Sequence, residues 1–395
     1  MRTLAILIIP LAAACGRGRF DAVPPPPDAV AIDAAPDAAP PVLSCTMPPR
    51  FSISASVTQL SATARLHGYD VFTVDSTGEV QGFSYTFDTN DRATATLAKQ
   101  VANVPVGTNA TGSLGAFADG DDVIVAMPYG RPMPTGTALI PLDAQLDARG
   151  APAIHDGLYG AGGALARNTT GVLAFATQPT VEEIDLKLVS PLGGEATTVQ
   201  QVKLTEGTTE LENPTVIPVG ANFLVVWNAD VSPSELHAQL FDERLVAQTL
   251  IKKVSFDQGG GTEFPRAAYA AAADRYLFAW HQKISGGGSG DEVWISLRNG
   301  SFTEIAAAKV AAQGILPAIA AGDNDFLVVW QDGGSLSHLG AARVAMDGTV
   351  TPVGVPDTGG TAAGWDVVVH NGQPAVAWVE AGGTGPNLWL DPLCH

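Results

Sequence analysis

Charge, aromatic residues and basic residues are all scarce in this chain of 395 residues. Only 15% of positions are charged and 7% aromatic, while 43 glycines and 28 prolines punctuate the chain. A helical bundle or coiled coil would be rich in Ala, Glu, Lys and Leu, so that class is excluded. Short strands joined by many turns fit instead. Lys and Arg number 21 against 40 Asp and Glu, a formal net charge of −19. The sequence has no basic stripe, which excludes a nucleic-acid footprint. Acidity of this kind maintains solubility, and its alternative use is to bind cations or basic partners. Catalytic signatures are also missing: no HExxH, nucleophile elbow, phosphate loop, Ser-His-Asp ordering, Asp-box or EF-hand pattern can be read.

The apolar run from Leu4 to Ala14, preceded by Arg2, is too short to cross a bilayer as a mature helix. It fits the core of an export signal over residues 1–14. The stretch Leu11-Ala12-Ala13-Ala14-Cys15 resembles a bacterial lipobox, with Ala12 where leucine is usual. The resemblance implies cleavage before Cys15, acylation of that residue, and a membrane partner reached through the lipid. The expected address is the outer membrane or cell surface. Residues 15–44 hold the lipidated cysteine and a stretch of Pro, Ala and Asp with no hydrophobic period. That stretch cannot bury enough apolar area to fold. As an extended tether its 29 residues from Gly16 to Ser44 reach about 90 Å, at about 3.1 Å per residue. Of the three cysteines, acylation removes Cys15 and leaves Cys45 and Cys394 as a pair in an oxidising compartment.

From residue 45 to 395 the sequence repeats. Phe223-Leu-Val-Val-Trp227, Tyr276-Leu-Phe-Ala-Trp280, Phe326-Leu-Val-Val-Trp330 and Pro374-Ala-Val-Ala-Trp378 place tryptophans 53, 50 and 48 residues apart. Stepping back at the same pitch finds copies ending at Phe175, Met127 and Val74, which makes seven. Each copy is apolar at successive positions, so both faces of its strand must be buried. A small-residue strand precedes it, often opened by proline (Pro214, Pro265, Pro317), and two more strands follow. Four antiparallel strands per roughly 50 residues make one propeller blade. The fold class is therefore all-β, a seven-bladed β-propeller with Val74, Met127, Phe175, Trp227, Trp280, Trp330 and Trp378 as core repeat positions. The whole resembles the degenerate propeller repeats of secreted bacterial proteins.

The last repeat ends one strand short, while Arg50–Val57 precedes the first strand of repeat one. That segment is expected to close the ring by pairing with Asn387–Leu393. Cys45 and Cys394 flank this seam, and a disulfide there closes a loop of about 350 residues, worth upwards of about 4 kcal/mol in the chain-entropy account.

The loops between blades share one face with those joining second to third strands, and that face carries the longer loops, including Ser285-Gly-Gly-Gly-Ser-Gly290. Loops on a rigid scaffold are where binding residues concentrate. Acidic residues gather there in repeats three to five: Glu206, Glu210, Glu212, Asp230, Glu235, Asp257 and Glu263. Hard oxygens in such number could hold Ca²⁺, although no Ca²⁺-loop pattern is present and no other cofactor is implied. Among the seven scattered histidines, His281 stands out because it follows Trp280 toward the long-loop face. Two functions stay open. One is a non-catalytic binding or scaffold module for an unidentified protein or glycan. The other is a carbohydrate-active hydrolase or lyase, which needs convergent carboxylates or a His–carboxylate pair at the ring axis.

Overall fold

The computed structural model describes residues 50–391 except 54–56, 66–67, 76, 88–92, 104–113, 131–135, 160–164, 190–197, 257–260, 284–290, 333–337, 356–360, 371 and 382–386. Its strands form seven antiparallel sheets, and each sheet's first strand neighbours the first strands of the sheets on either side until the circle closes. The chain is a seven-bladed β-propeller.

The repeat strands are the second strand of each blade, for example Asn222–Ala229, Arg275–Gln282 and Asp325–Asp332. Their side chains alternate between the two faces. Phe223, Val225 and Trp227 pack toward blade three, with Phe175 and Leu186, whereas Leu224 and Val226 pack toward Tyr276, Phe278 and Trp280 of blade five. In turn Leu277 and Ala279 meet Phe326, Val328 and Trp330 of blade six. The core therefore lies between blades, and an uninterrupted apolar run is what such a strand needs. Val74, Met127, Phe175, Trp227, Trp280, Trp330 and Trp378 are all buried.

Two features differ from the sequence expectation. The prolines do not open the first strands. Leu211–Val219, Thr262–Ala270 and Gly314–Ala321 each begin three residues earlier, and the pairing register shifts at Asn213-Pro214, Phe264-Pro265 and Leu316-Pro317. Proline has no N–H for the ladder, so inside a strand it is tolerated at a bulge. Asn213, Phe264 and Leu316 take left-handed φ values of 51°, 50° and 51° there. Blade three departs further, because its first strand is broken into Leu158–Tyr159 and Leu165–Arg167, both paired with Leu173–Thr180.

The ring closes as the strand count requires. Blade seven runs Thr361–His370, Gln373–Ala381, Asn387–Asp391, and its fourth strand is Arg50–Ser52 from the other end of the chain. Arg50 pairs with Trp389, Phe51 with Leu388 and Ser52 with Asn387. The borrowed strand is shorter than expected: Val57 pairs with Asp75 and belongs to blade one. Phe51 also packs against Phe83 and Tyr85 of blade one, with ring centroids 5.1 and 5.3 Å away. A polar seam completes the closure on the inner strands. Asp366 of blade seven accepts hydrogen bonds from Ala62 N (2.9 Å) and Ser61 Oγ (3.1 Å) of blade one, and Ser61 Oγ accepts from Ala116 N of blade two at 3.0 Å. Burial pushes the Asp366 carboxyl upward, and the backbone N–H groups of Ala62 and Val367 oppose that shift.

Candidate functional site

The proline bulges have a geometric consequence at the long-loop face. Each sets two residues at the start of a first strand apart from the rest. One of the two lies opposite the residue that follows the repeat tryptophan, or its equivalent. The pairs are Glu212 with Asn228, Glu263 with His281, and Ile315 with Gln331. These are equivalent positions in blades four to six, and of the three only blades four and five carry an acid on the first strand.

Glu206 and Glu235 are drawn into the scaffold. Glu206 accepts from Trp227 Nε1 at 2.7 Å and contacts His237 Nδ1 at 2.8 Å. Glu235 contacts His237 Nε2 at 3.1 Å and accepts from Lys253 Nζ at 2.6 Å. Burial alone pulls the His237 pKa down, but hydrogen bonds to Glu206 and Glu235 outweigh it and hold the pKa above 6.5. When protonated, the ring donates from both nitrogens, and every group in this network then has a partner.

Glu210, Glu212 and Asp230 are exposed, and Asp230 N donates to Glu210 O at 2.8 Å. The Glu212 carboxyl is pushed upward first by desolvation and then by Asp230, Glu210 and Glu263, with Lys283 opposing. Glu263 forms an ion pair with Lys283 through Oε1. Its Oε2 lies 3.5 Å from His281 Nε2, and Asp291 Oδ2 lies 3.4 Å from the same nitrogen. The His281 side chain is only 5% exposed, yet neither ring nitrogen makes a hydrogen bond. Desolvation holds its pKa below 6.5 against the pull of Glu263 and Asp291. The ring lies against Phe264, centroids 5.4 Å apart. Asn228 is likewise buried, and its Oδ1 accepts no hydrogen bond.

The structure thus divides the predicted acids. Glu206 and Glu235 belong to a closed network; Glu210, Glu212, Asp230 and Glu263 form an open patch on blades four and five. Asp257 and the glycine-rich loop at 285–290 lie outside the described residues, as do Cys15, Cys45 and Cys394. Among the described residues no group of three His, Cys, Asp or Glu side chains is arranged to hold a metal ion. Sequence reading missed Asn228, Asp291 and the seam carboxylate Asp366, whose Trp-Asp dipeptide lies off the repeat position. A usable signal did exist for Asn228: it and His281 both directly follow a repeat tryptophan, one repeat apart.

No protein-family model matches the chain, and no curated protein does. Its fold is similar to that of a chain in the mitotic checkpoint complex, 12% identical over 89% of this chain and 96% of that one, with a TM-score of 0.53. A protein of unknown function from Dyadobacter fermentans is 12% identical over 88% and 98% of the two chains, with a TM-score of 0.50. The β-propeller domain of the trilobed protease from Pyrococcus furiosus is 9% identical over 85% and 96%, with a TM-score of 0.47. Identities this low speak to the shared propeller fold alone.

Proposed function

We propose that this protein is a non-catalytic binding module of the cell envelope, tethered through acylated Cys15, that receives basic ligands on the long-loop face of blades four and five. The observation that carries the reading is the open patch of Glu210, Glu212, Asp230 and Glu263, whose mutual repulsion contributes to the raised pKa of Glu212. Like charges held together cost stability, and clusters with perturbed titration concentrate at functional positions. The net charge of −19 draws cations toward the same molecule over longer range.

The deciding experiment is binding of the full-length chain to immobilised poly-lysine across a salt series. Charge reversal at Glu212 and Asp230 should abolish capture. Reversal of Glu243, on the blade-four turn at the opposite face, should leave it intact. Equal loss from both reversals would mean that net charge alone is responsible, and the site would be wrong. A second reading, glycoside hydrolysis, draws on the same raised Glu212 beside Glu263, since an acid with raised pKa paired with a carboxylate is what that chemistry uses. Turnover of polysaccharide substrates that disappears in Glu212→Gln would favour the hydrolase.

The envelope part of the proposal has its own supports. With Cys15 acylated, Cys45 and Cys394 are the two cysteines left, and in sequence they flank the pair formed by Arg50–Ser52 and Asn387–Asp391. A disulfide at that point would lock the borrowed strand. Detergent-phase partitioning that is lost in Cys15→Ser tests the anchor, and mass mapping of the non-reduced protein tests the bond.

A further inference from the structure

We propose that Asn228 with Glu212, and His281 with Glu263 and Asp291, form two equivalent acceptor sites in successive gaps between blades, and that together they take the ammonium or guanidinium groups of one multivalent organic cation. The inference rests on the binding reading above and names its ligand chemistry.

Buried polar groups in folded proteins are nearly always hydrogen-bonded, so an exception calls for an explanation. Here two exceptions occupy the same position in neighbouring repeats. In blade six the equivalent residue, Gln331, donates to Ala362 O of blade seven at 3.4 Å. In blade seven the residue that follows Trp378 is Val379, whose side chain has no polar group to satisfy. Among blades four to six, only four and five leave the position unsatisfied, and only they place a glutamate opposite it.

Orientation follows from strand alternation. Asn228 shares a face with Leu224 and Val226, which pack toward blade five. His281 shares a face with Leu277 and Ala279, which pack toward blade six. The two positions therefore open into adjacent gaps. What they present is chiefly acceptors, which suits a ligand rich in donors. Asn228 Oδ1 accepts, a neutral imidazole offers one lone pair, and the carboxylates of Glu212, Glu263 and Asp291 only accept. The Glu263 and Asp291 side chains are 28% and 33% exposed, so a ligand can reach them from solvent. Lys283 already seats an ammonium on Glu263 Oε1, leaving Oε2 on the His281 side. A free polyamine and the basic side chains of a peptide share the required chemistry.

Isothermal titration of the full-length chain at pH 7.5 and low salt, with spermidine and separately with a tetra-arginine peptide, tests the proposal and separates the two sources. At least one probe should bind saturably. Glu212→Gln and Glu263→Gln should each raise its Kd tenfold or more, because each removes one of two linked sites, and butylamine should bind far more weakly than spermidine. His281→Leu should raise the Kd several-fold without lowering the unfolding temperature, an outcome that a purely structural histidine would not give. Absence of saturable binding by both probes, or a Kd unmoved by both glutamine substitutions, would overturn the proposal. If poly-lysine capture still depended on Glu212 and Asp230 in that case, the binding reading would stand and this inference alone would fall.

Discussion

His237 and His281 lie one blade apart, each between two carboxylates, yet His237 engages Glu206 and Glu235 through both ring nitrogens while His281 engages nothing by hydrogen bond. Their pKa values move in opposite directions from 6.5 for this reason: carboxylate hydrogen bonds outweigh desolvation at His237, and desolvation wins at His281. The difference separates scaffold from site. A polar network whose members satisfy one another holds a loop in place and has nothing left to offer a ligand. A buried group left unsatisfied, with the same residue types around it, keeps its hydrogen-bonding capacity free.

The comparison can be broken in order of effect. Trp227→Ala should have the largest consequence, about 3–5 kcal/mol in chemical denaturation, because it empties a fully buried position. It also strips Glu206 of a donor. A change below about 1 kcal/mol would mean that the second strand is not the core.

Glu206→Ala comes next, at about 1–3 kcal/mol, since Trp227 Nε1 and His237 lose their acceptor in a half-buried setting. Glu263→Ala, which removes the solvent-facing pair with Lys283 and the 3.5 Å contact with His281 Nε2 that makes no hydrogen bond, should stay within about 1 kcal/mol. Equal costs for the two would erase the distinction between closed and open networks.

A smaller contrast pits His237→Leu, expected to destabilise by about 1–3 kcal/mol, against His281→Leu, expected to be neutral or stabilising. Removing a satisfied group orphans its partners, whereas removing an unsatisfied one orphans none. A strongly destabilised His281→Leu protein would show that the imidazole is structural.

The slightest effect is pH-dependent and has opposite signs at the two residues. The raised pKa of His237 contributes stability that is fully present below about pH 6.5 and is lost as pH rises through the folded-state pKa. The lowered pKa of His281 contributes stability present above about pH 6.5 and lost as pH falls toward its folded-state value. Measured against the corresponding glutamine variants, the two contributions should slope in opposite directions with pH. Parallel slopes would contradict the assigned environments.

Much of the architecture can be read before any folding. Runs such as Phe223–Trp227 demand burial on two faces, and their recurrence at a pitch near 50 residues implies seven blades. The strand count at the two ends implies the borrowed strand, although its extent, Arg50–Ser52, came out shorter than the apolar pattern promised. The proline bulges were not legible, because Pro214, Pro265 and Pro317 mark a strand start and an internal bulge with the same signal. The broken first strand of blade three follows a glycine-rich stretch at 160–163, which specifies strand pairing only weakly.

The site was legible as a list of acids but not as an arrangement. Glu206, Glu212, Glu235 and Glu263 look alike in one dimension. Their roles diverge because Trp227, His237 and Lys253 reach two of them, whereas bulges carry the other two to the open end of the ring. Asp366 gains its role from Ser61 and Ala62, separated from it by 305 and 304 positions. Hydrophobic periodicity is a local property repeated along the chain, so it can dictate strands and blades without reference to closure. Hydrogen-bond satisfaction is a property of pairs brought together from different blades, so which carboxylates serve the scaffold and which remain open arises only when the ring has closed.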